Sequence, residues 1–499
     1  MTTAVRPAVR SALGALRGSI IKTRPSRRPL PAGAIVAALS AAWLQWPDPA
    51  AAHGLVGRAY LPVPAWLFAW AAGLVLVLSF VGLAALWSSP RFERPRTRRL
   101  FGYPALLEPI LGLLGVIAFV IVVISGIRGS QIPTANLAPT GVYVLFWVGV
   151  PILSALFGDV FRPVNPWRAL ARAAAWGSRR SGLAGSFGRA PLPYPDRLGR
   201  WPAVAGIIGF AWLELVFVDR EHPATLAVLA VAYALVQLVG MSFFGIERWS
   251  ERGDAFGVAF NLFSRLSPLE YRDRTVRLRP PLSGLADARA LPGTVALLCA
   301  MIGTTTFDGT ANGPVWRAIA PGAVSDLTQL GFGGTTAVEL TFTLGMALCI
   351  LLCGGLYWLG IKGMESVSPG HRSQELSRAF VFSLVPIALG YLVAHYFSLL
   401  VTQGQATGYL ISDPMGTGSD LFGTAGFRID YGLVSAAAIW YIQVAALVGG
   451  HVSGLALAHD RALVVYGDPE DAAHSQRWML VVMVTFTCLG LWLLSAVNT

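Results

Sequence analysis

VAHYFSLLVTQGQ (393–405), SDPMGTGSDLFGTAGFRIDYG (412–432) and IWYIQVAALVGGHVSGLALAHDRAL (439–463) are the stretches that decide the fold of this chain. Two apolar segments, each carrying a histidine, flank a loop rich in glycine and aspartate. About 20 apolar residues are what a helix needs to cross the roughly 30 Å of hydrocarbon in a bilayer. Imidazole, amide and carboxylate groups in or beside such a span are poorly solvated by lipid. They need partners, and they stand as functional candidates.

The rest of the chain has the same character. It is 55% hydrophobic and 13% charged over 499 residues, where a soluble chain carries about 25% charged residues. This composition defines an all-α, polytopic membrane protein. The net charge of +12 comes from arginines lying between apolar spans, where the positive-inside rule accounts for them. It implies no nucleic-acid partner. The four cysteines (Cys299, Cys349, Cys353 and Cys488) all fall in apolar segments. They read as small buried hydrophobes rather than a disulfide framework, although Cys349 and Cys353 share a helix face.

Residues 1–31 are basic and free of acids, AGAIVAALSAAWLQW (32–46) is a short apolar run, and PDPAAAHG follows. A basic leader, a short apolar region and an Ala-x-Ala site describe a secretory signal peptide. Cleavage after Ala52 leaves 53–499 as a single membrane domain. An uncleaved first span is the rival reading, but the run is short for a crossing. Ten spans are expected near 65–87, 107–127, 140–158, 202–218, 224–245, 290–306, 335–360, 379–402, 433–458 and 477–496. Arginines concentrate in the connections 88–106, 159–201 and 246–289. That bias puts those loops in the cytoplasm of a bacterial inner membrane and both mature termini outside. Within the loops, NPWRALARAAAW (165–176) and ERWSERGDAFGVAFNLFSRLSPLEYRDRTVRLRP (247–280) read as amphipathic helices on the anionic inner leaflet. They could also dock a partner subunit.

Marked catalytic signatures are absent: no Walker loop, no Gly-x-Ser-x-Gly elbow, no His-Glu-x-x-His and no haem-attachment motif. The chemistry must come from scattered groups. His53, exposed by cleavage, offers its α-amine and imidazole to one metal ion, a chelate suited to copper. His395 and Gln443 lie at similar depth from the outer face, with Asp308, Glu339, Glu214, Asp219, Asp413, Asp420 and Asp430 at or near that face. Convergence of His, Asp and Glu would hold a divalent ion, copper or zinc, through His53, His395, Asp308 and Glu339, or would relay protons. His451 lies about 27 Å from the outer end of its span, too deep to share a metal with His395. A series His395, Gln443, His451, His459 suits a proton path better than a metal cage. His459, beside Asp460 and Arg461, reads as a boundary group, and the small residues of GGHVSGLALA as close helix packing.

HGLVGRAYLPVPAWLF, NPWRAL, GDAFGVAFNLFSRLSP, FDG, AHYFSLLVTQGQ, SDPMGTGSDLFGT and WYIQVAALVGGHVSGLALAHDRAL together resemble a bacterial multi-pass family catalogued as fenitrothion hydrolases. The likeness covers most of the chain beyond His53. It implies shared architecture and hydrolysis of an organophosphate triester, with metal-activated water as the usual means. The expectation is a membrane-embedded metal-dependent hydrolase using His395, Asp413, Gln443 and His451. Two alternatives stand beside it: a transporter or copper-handling, proton-conducting permease, and a non-catalytic anchor or assembly subunit.

Overall fold

A computed structural model describes residues 65–93, 95–181, 192–367 and 370–497. The expected signal peptide (1–52) and His53 lie outside the described residues. The fold is 73% helical, which places it in the all-α membrane class. Among the described residues, six helices are long and apolar enough to cross a bilayer: Leu107–Arg128, Leu137–Phe157, Pro223–Phe244, Gly334–Val367, Ser373–Leu410 and Ala436–Tyr466. Shorter apolar helices at Trp70–Leu86, Trp201–Leu215 and Arg477–Trp492 fall on three of the remaining expected spans, and the helix Thr294–Ala311 falls on the fourth.

In chain order, α1 is Ala65–Leu86, α2 Leu107–Arg128 and α3 Leu137–Phe157. The middle of α3, Thr140–Gly149, is wound as a π-helix, a rare form that is frequent at functional sites. Next come α4 (Pro166–Arg180), α5 (Trp201–Leu215) and α6 (Pro223–Phe244). The short helices α7 (Ile246–Arg252) and α8 (Ala255–Ser264) follow. The second half holds α9 (Thr294–Ala311), α10 (Pro314–Gln329), α11 (Gly334–Val367) and α12 (Leu384–Gln403). The last two are α13 (Ala436–Tyr466) and α14 (Arg477–Val497).

Two features were not anticipated. An extra helix, α10, interrupts the connection after α9. A small antiparallel sheet forms at the arginine-rich end from β1 (Arg98–Gly102), β2 (Leu269–Arg272) and β3 (Thr275–Leu278), in the order β1-β3-β2. Asp273 and Arg274 turn the β2–β3 hairpin with φ of 52° and 55°, the left-handed pair a two-residue hairpin needs.

Helix α12 packs along α13, and glycines set how closely. A Cβ on Gly390 would lie 2.7 Å from the Ala446 carbonyl oxygen, and one on Gly450 2.6 Å from that of Pro386. Only small residues allow such an approach, as the sequence of α13 suggested. Ser435 caps α13, accepting from the Ala438 amide, and Gly467 ends it at φ +74°. An aromatic cluster locks the π-helical part of α3 in place: Phe146 meets Phe256 edge-on at 4.8 Å, and Trp147 meets Phe210 at the same separation.

The arginine-rich loops are built against protein rather than spread on lipid alone. Asn165 caps α4 by accepting from the Arg168 amide, with Pro166 at the first helical position. The same Asn165 donates through Nδ2 to Asp254 Oδ2 at 2.9 Å. Trp167 Nε1 donates to that oxygen at 2.6 Å, and the Tyr233 hydroxyl to Oδ1 at 2.8 Å. Asp254 is wholly buried. Burial pushes its carboxyl above the usual range, and these donors pull the other way. Glu247 gathers Arg162, Arg168 and Arg172 within 2.8–3.0 Å. Its partial burial opposes ionisation, and the three guanidinium groups prevail, holding it below the usual range. The sequence placed these arginines at the lipid surface. Arg168 is turned inward onto Glu247, and Arg162 and Arg172 reach the same carboxylate from the exposed side.

Candidate functional site

Asp308 lies one turn before the end of α9, and His395 about 12 Å from the end of α12. His395 Nε2 and Asp308 Oδ2 are 2.8 Å apart, and the Tyr396 hydroxyl donates to the same oxygen at 2.8 Å. Tyr396 is buried, while the His395 and Asp308 side chains retain 23% and 16% exposure. Glu214, near the end of α5, lies within electrostatic reach of Asp308 and Tyr396, and Arg220 within reach of both acids. The Nδ1 edge of His395 faces Gly309, where an added Cβ would sit 3.8 Å away. Asp308-Gly309 thus places a carboxylate on one edge of the imidazole and a residue without a side chain beside the other. A carboxylate on Nε2 fixes the tautomer and stabilises the charged ring, so Nδ1 is the edge that takes up or gives up a proton.

Of the groups singled out in the sequence, His395 and Asp308 are brought together. Glu339 reaches the Val218 amide at 3.4 Å. Asp413 serves its own loop, accepting from the Thr417 and Gly418 amides and the Ser419 hydroxyl. Desolvation opposes its charge slightly, and these donors hold its carboxyl below the usual range. Asp420 and Asp430 likewise accept from amides of that loop, at Ala425 and Gly432. Gln443 is buried on α13. Two helical turns further, His451 is fully buried and donates from Nδ1 to the Leu447 carbonyl at 2.9 Å. Among the described residues, no three of His, Cys, Asp and Glu are grouped so as to hold a metal ion. The expected divalent centre also draws on His53, outside the described residues; His395, Asp308 and Glu339 alone are not grouped as a metal site.

His459 takes part in a clasp. Its Nε2 donates to the Trp87 carbonyl at 2.9 Å, and Nδ1 faces Gln476 Nε2 at 3.4 Å. Beside it, Asp460 accepts from Trp87 Nε1, the Arg91 amide and the Phe92 amide at 3.1, 2.6 and 3.2 Å. Arg461 pairs with Glu93 at 2.8 Å. The run His-Asp-Arg thus ties the end of α1 to α13. Sequence reasoning missed Tyr396 and this clasp. The one signal for Tyr396 was its place directly after His395.

Comparison with family models, with curated proteins and with solved structures returns no match.

Proposed function

We propose that this chain crosses a bacterial inner membrane ten times, on the ten apolar helices, and acts as a proton-handling permease. The observation that carries the reading is the sharing of one carboxylate oxygen, Asp308 Oδ2, by His395 and Tyr396 inside a bundle of apolar helices. Ionisable groups at membrane depth are expensive to keep, and proton relays and substrate paths are where they are found. Loaded at Nδ1, His395 forms a net-neutral pair with the Asp308 carboxylate; unloaded, it leaves that carboxylate its charge and the hydrogen bonds from His395 and Tyr396 that stabilise it. Glu214 supplies a second acid within reach.

The test is proton flux in liposomes holding the purified protein and an internal pH-sensitive dye. An imposed pH gradient should dissipate faster than in empty vesicles, and His395→Ala and Asp308→Asn should return the rate to the empty-vesicle value. Equal rates for wild type and both variants would overturn the proposal.

A second reading has one observation in its favour: the Nδ1 edge of the partly exposed His395, beside Gly309. An Asp-oriented imidazole can serve as general base toward water. That role fits the hydrolysis implied by the resemblance to fenitrothion hydrolases. Release of nitrophenol from an aryl phosphorothioate triester by the purified protein, abolished in His395→Ala, would favour it. No turnover above buffer would end it.

A further inference from the structure

Deeper in the bundle, α9, α11, α12, α13 and α14 line a cavity of about 20 Å³, room for a single water-sized body. His451, Cys299, Cys353, Met479 and Met483 are among the residues that line it, together with Tyr357. The five potential donors are all at least nine-tenths buried. His451 spends Nδ1–H on its own helix at Leu447 and has no hydrogen-bond partner for Nε2. With Nδ1 turned back to the helix, Nε2 is the edge left to face the cavity that His451 lines. A buried acceptor without a partner is unfavourable and asks for an occupant.

Water is a poor occupant here. An internal water wants two to four polar partners. The Tyr357 hydroxyl is already donated to the Ser377 carbonyl at 2.7 Å. Beyond His451, the cysteines and methionines add only weak hydrogen-bonding sulfur. What the walls do offer is one imidazole nitrogen, two thiols and two thioethers. Soft sulfur donors select monovalent copper.

We infer that this cavity is a binding site for a soft monovalent metal ion, monovalent copper in particular, held by His451 Nε2, one cysteine sulfur and a methionine thioether. The balance is one of charge. A coordinating thiol is deprotonated outright, so Cys–SH and Cu⁺ give Cys–S–Cu and a released H⁺, with no change of oxidation state. The loaded site is neutral, which is what a group buried among apolar helices requires. The inference is independent of the role proposed for His395.

The experiment is anaerobic titration of the detergent-purified full chain with Cu⁺ in competition with bicinchoninate, in a His53→Ala background that removes any terminal chelate. One equivalent is expected, and X-ray absorption should show a mixed nitrogen and sulfur shell. The double variant Met479→Leu/Met483→Leu conserves volume and so keeps the bundle packed. It should weaken binding at least about tenfold, the range that even outer partners of a metal carry. Cys299→Ser with Cys353→Ser should do the same, and Cys349→Ser, outside the cavity, should leave affinity unchanged. No tight Cu⁺, or tight Cu⁺ indifferent to both double variants, overturns the site.

Discussion

Asp308 Oδ2 sits 2.8 Å from His395 Nε2, across 87 residues of sequence and between two different helices. The Tyr396 hydroxyl shares that oxygen, so removing the carboxylate strips two donors at once. Leaving a buried partner bare costs about 3–5 kcal/mol. With 23% and 16% of the two side chains exposed, about 1–3 kcal/mol is expected for Asp308→Ala. Tyr396→Phe removes one neutral donor and costs about 1 kcal/mol. Thermal unfolding in detergent should rank Asp308→Ala below Tyr396→Phe. Equal melting temperatures would deny Asp308 its place as the common acceptor.

Asp254 receives Asn165, Trp167 and Tyr233 and has no exposure. Asp254→Ala orphans three donors and should lower stability by about 3–5 kcal/mol, enough to deplete folded protein. Trp167→Phe, which removes one donor and keeps an aromatic ring, should cost about 1–3 kcal/mol. The check is the monodisperse fraction on size-exclusion chromatography after graded heating. A mild Asp254→Ala would mean that these donors find water instead.

Gly449 and Gly450 are adjacent in sequence and opposite in consequence. Nothing lies within 4 Å of a Cβ at Gly449, while one at Gly450 would meet the Pro386 carbonyl oxygen at 2.6 Å. Gly449→Ala should be neutral or stabilising by a few tenths of a kcal/mol, since alanine favours helix. Gly450→Ala must push α12 from α13 and should cost about 1–3 kcal/mol. Melting curves that fail to separate the two variants would contradict the close approach of those helices.

Glu365 accepts from Lys362 Nζ at 2.7 Å, from the Ser373 amide at 3.0 Å and from the Ser373 hydroxyl. The Lys362 hydrogen bond, then those from Ser373, hold its carboxyl down at about 2, against an ordinary value of 4.5. A depressed folded-state value means stabilisation that is complete above about 4.5 and lost as pH falls toward 2. Because the group is exposed, only the direction is predicted. Apparent melting temperature should fall more steeply with acid in wild type than in Glu365→Gln over that window. Parallel curves would remove Glu365 from the acid response.

The membrane class was legible because lipid imposes it: apolar runs of fixed length and arginines sorted between them leave few alternatives. His395 and Asp308 were legible for the same reason, as polar groups in apolar helices. Their pairing was not, since sequence gives depth along a helix but not which helices are neighbours. Asp413 was misleading because a loop aspartate that organises a turn has the same composition around it as one that serves a ligand. Asp254 and Asp460 sit in runs, GDAF and AHDR, whose purpose becomes visible only with the tryptophans they hold. The cysteines read as plain hydrophobes until His451, Met479 and Met483 were found on the same cavity wall.

The clasp between Asp460 and Trp87 spans 373 residues, and α14 packs against α1. The first described helix, α1, is therefore held by both α13 and α14. Synthesis runs from the N-terminus, so the Trp87 indole is made 373 residues before the carboxylate that accepts from it. A chain cut before Asp460 would lack that acceptor, so the clasp marks the arrival of α13.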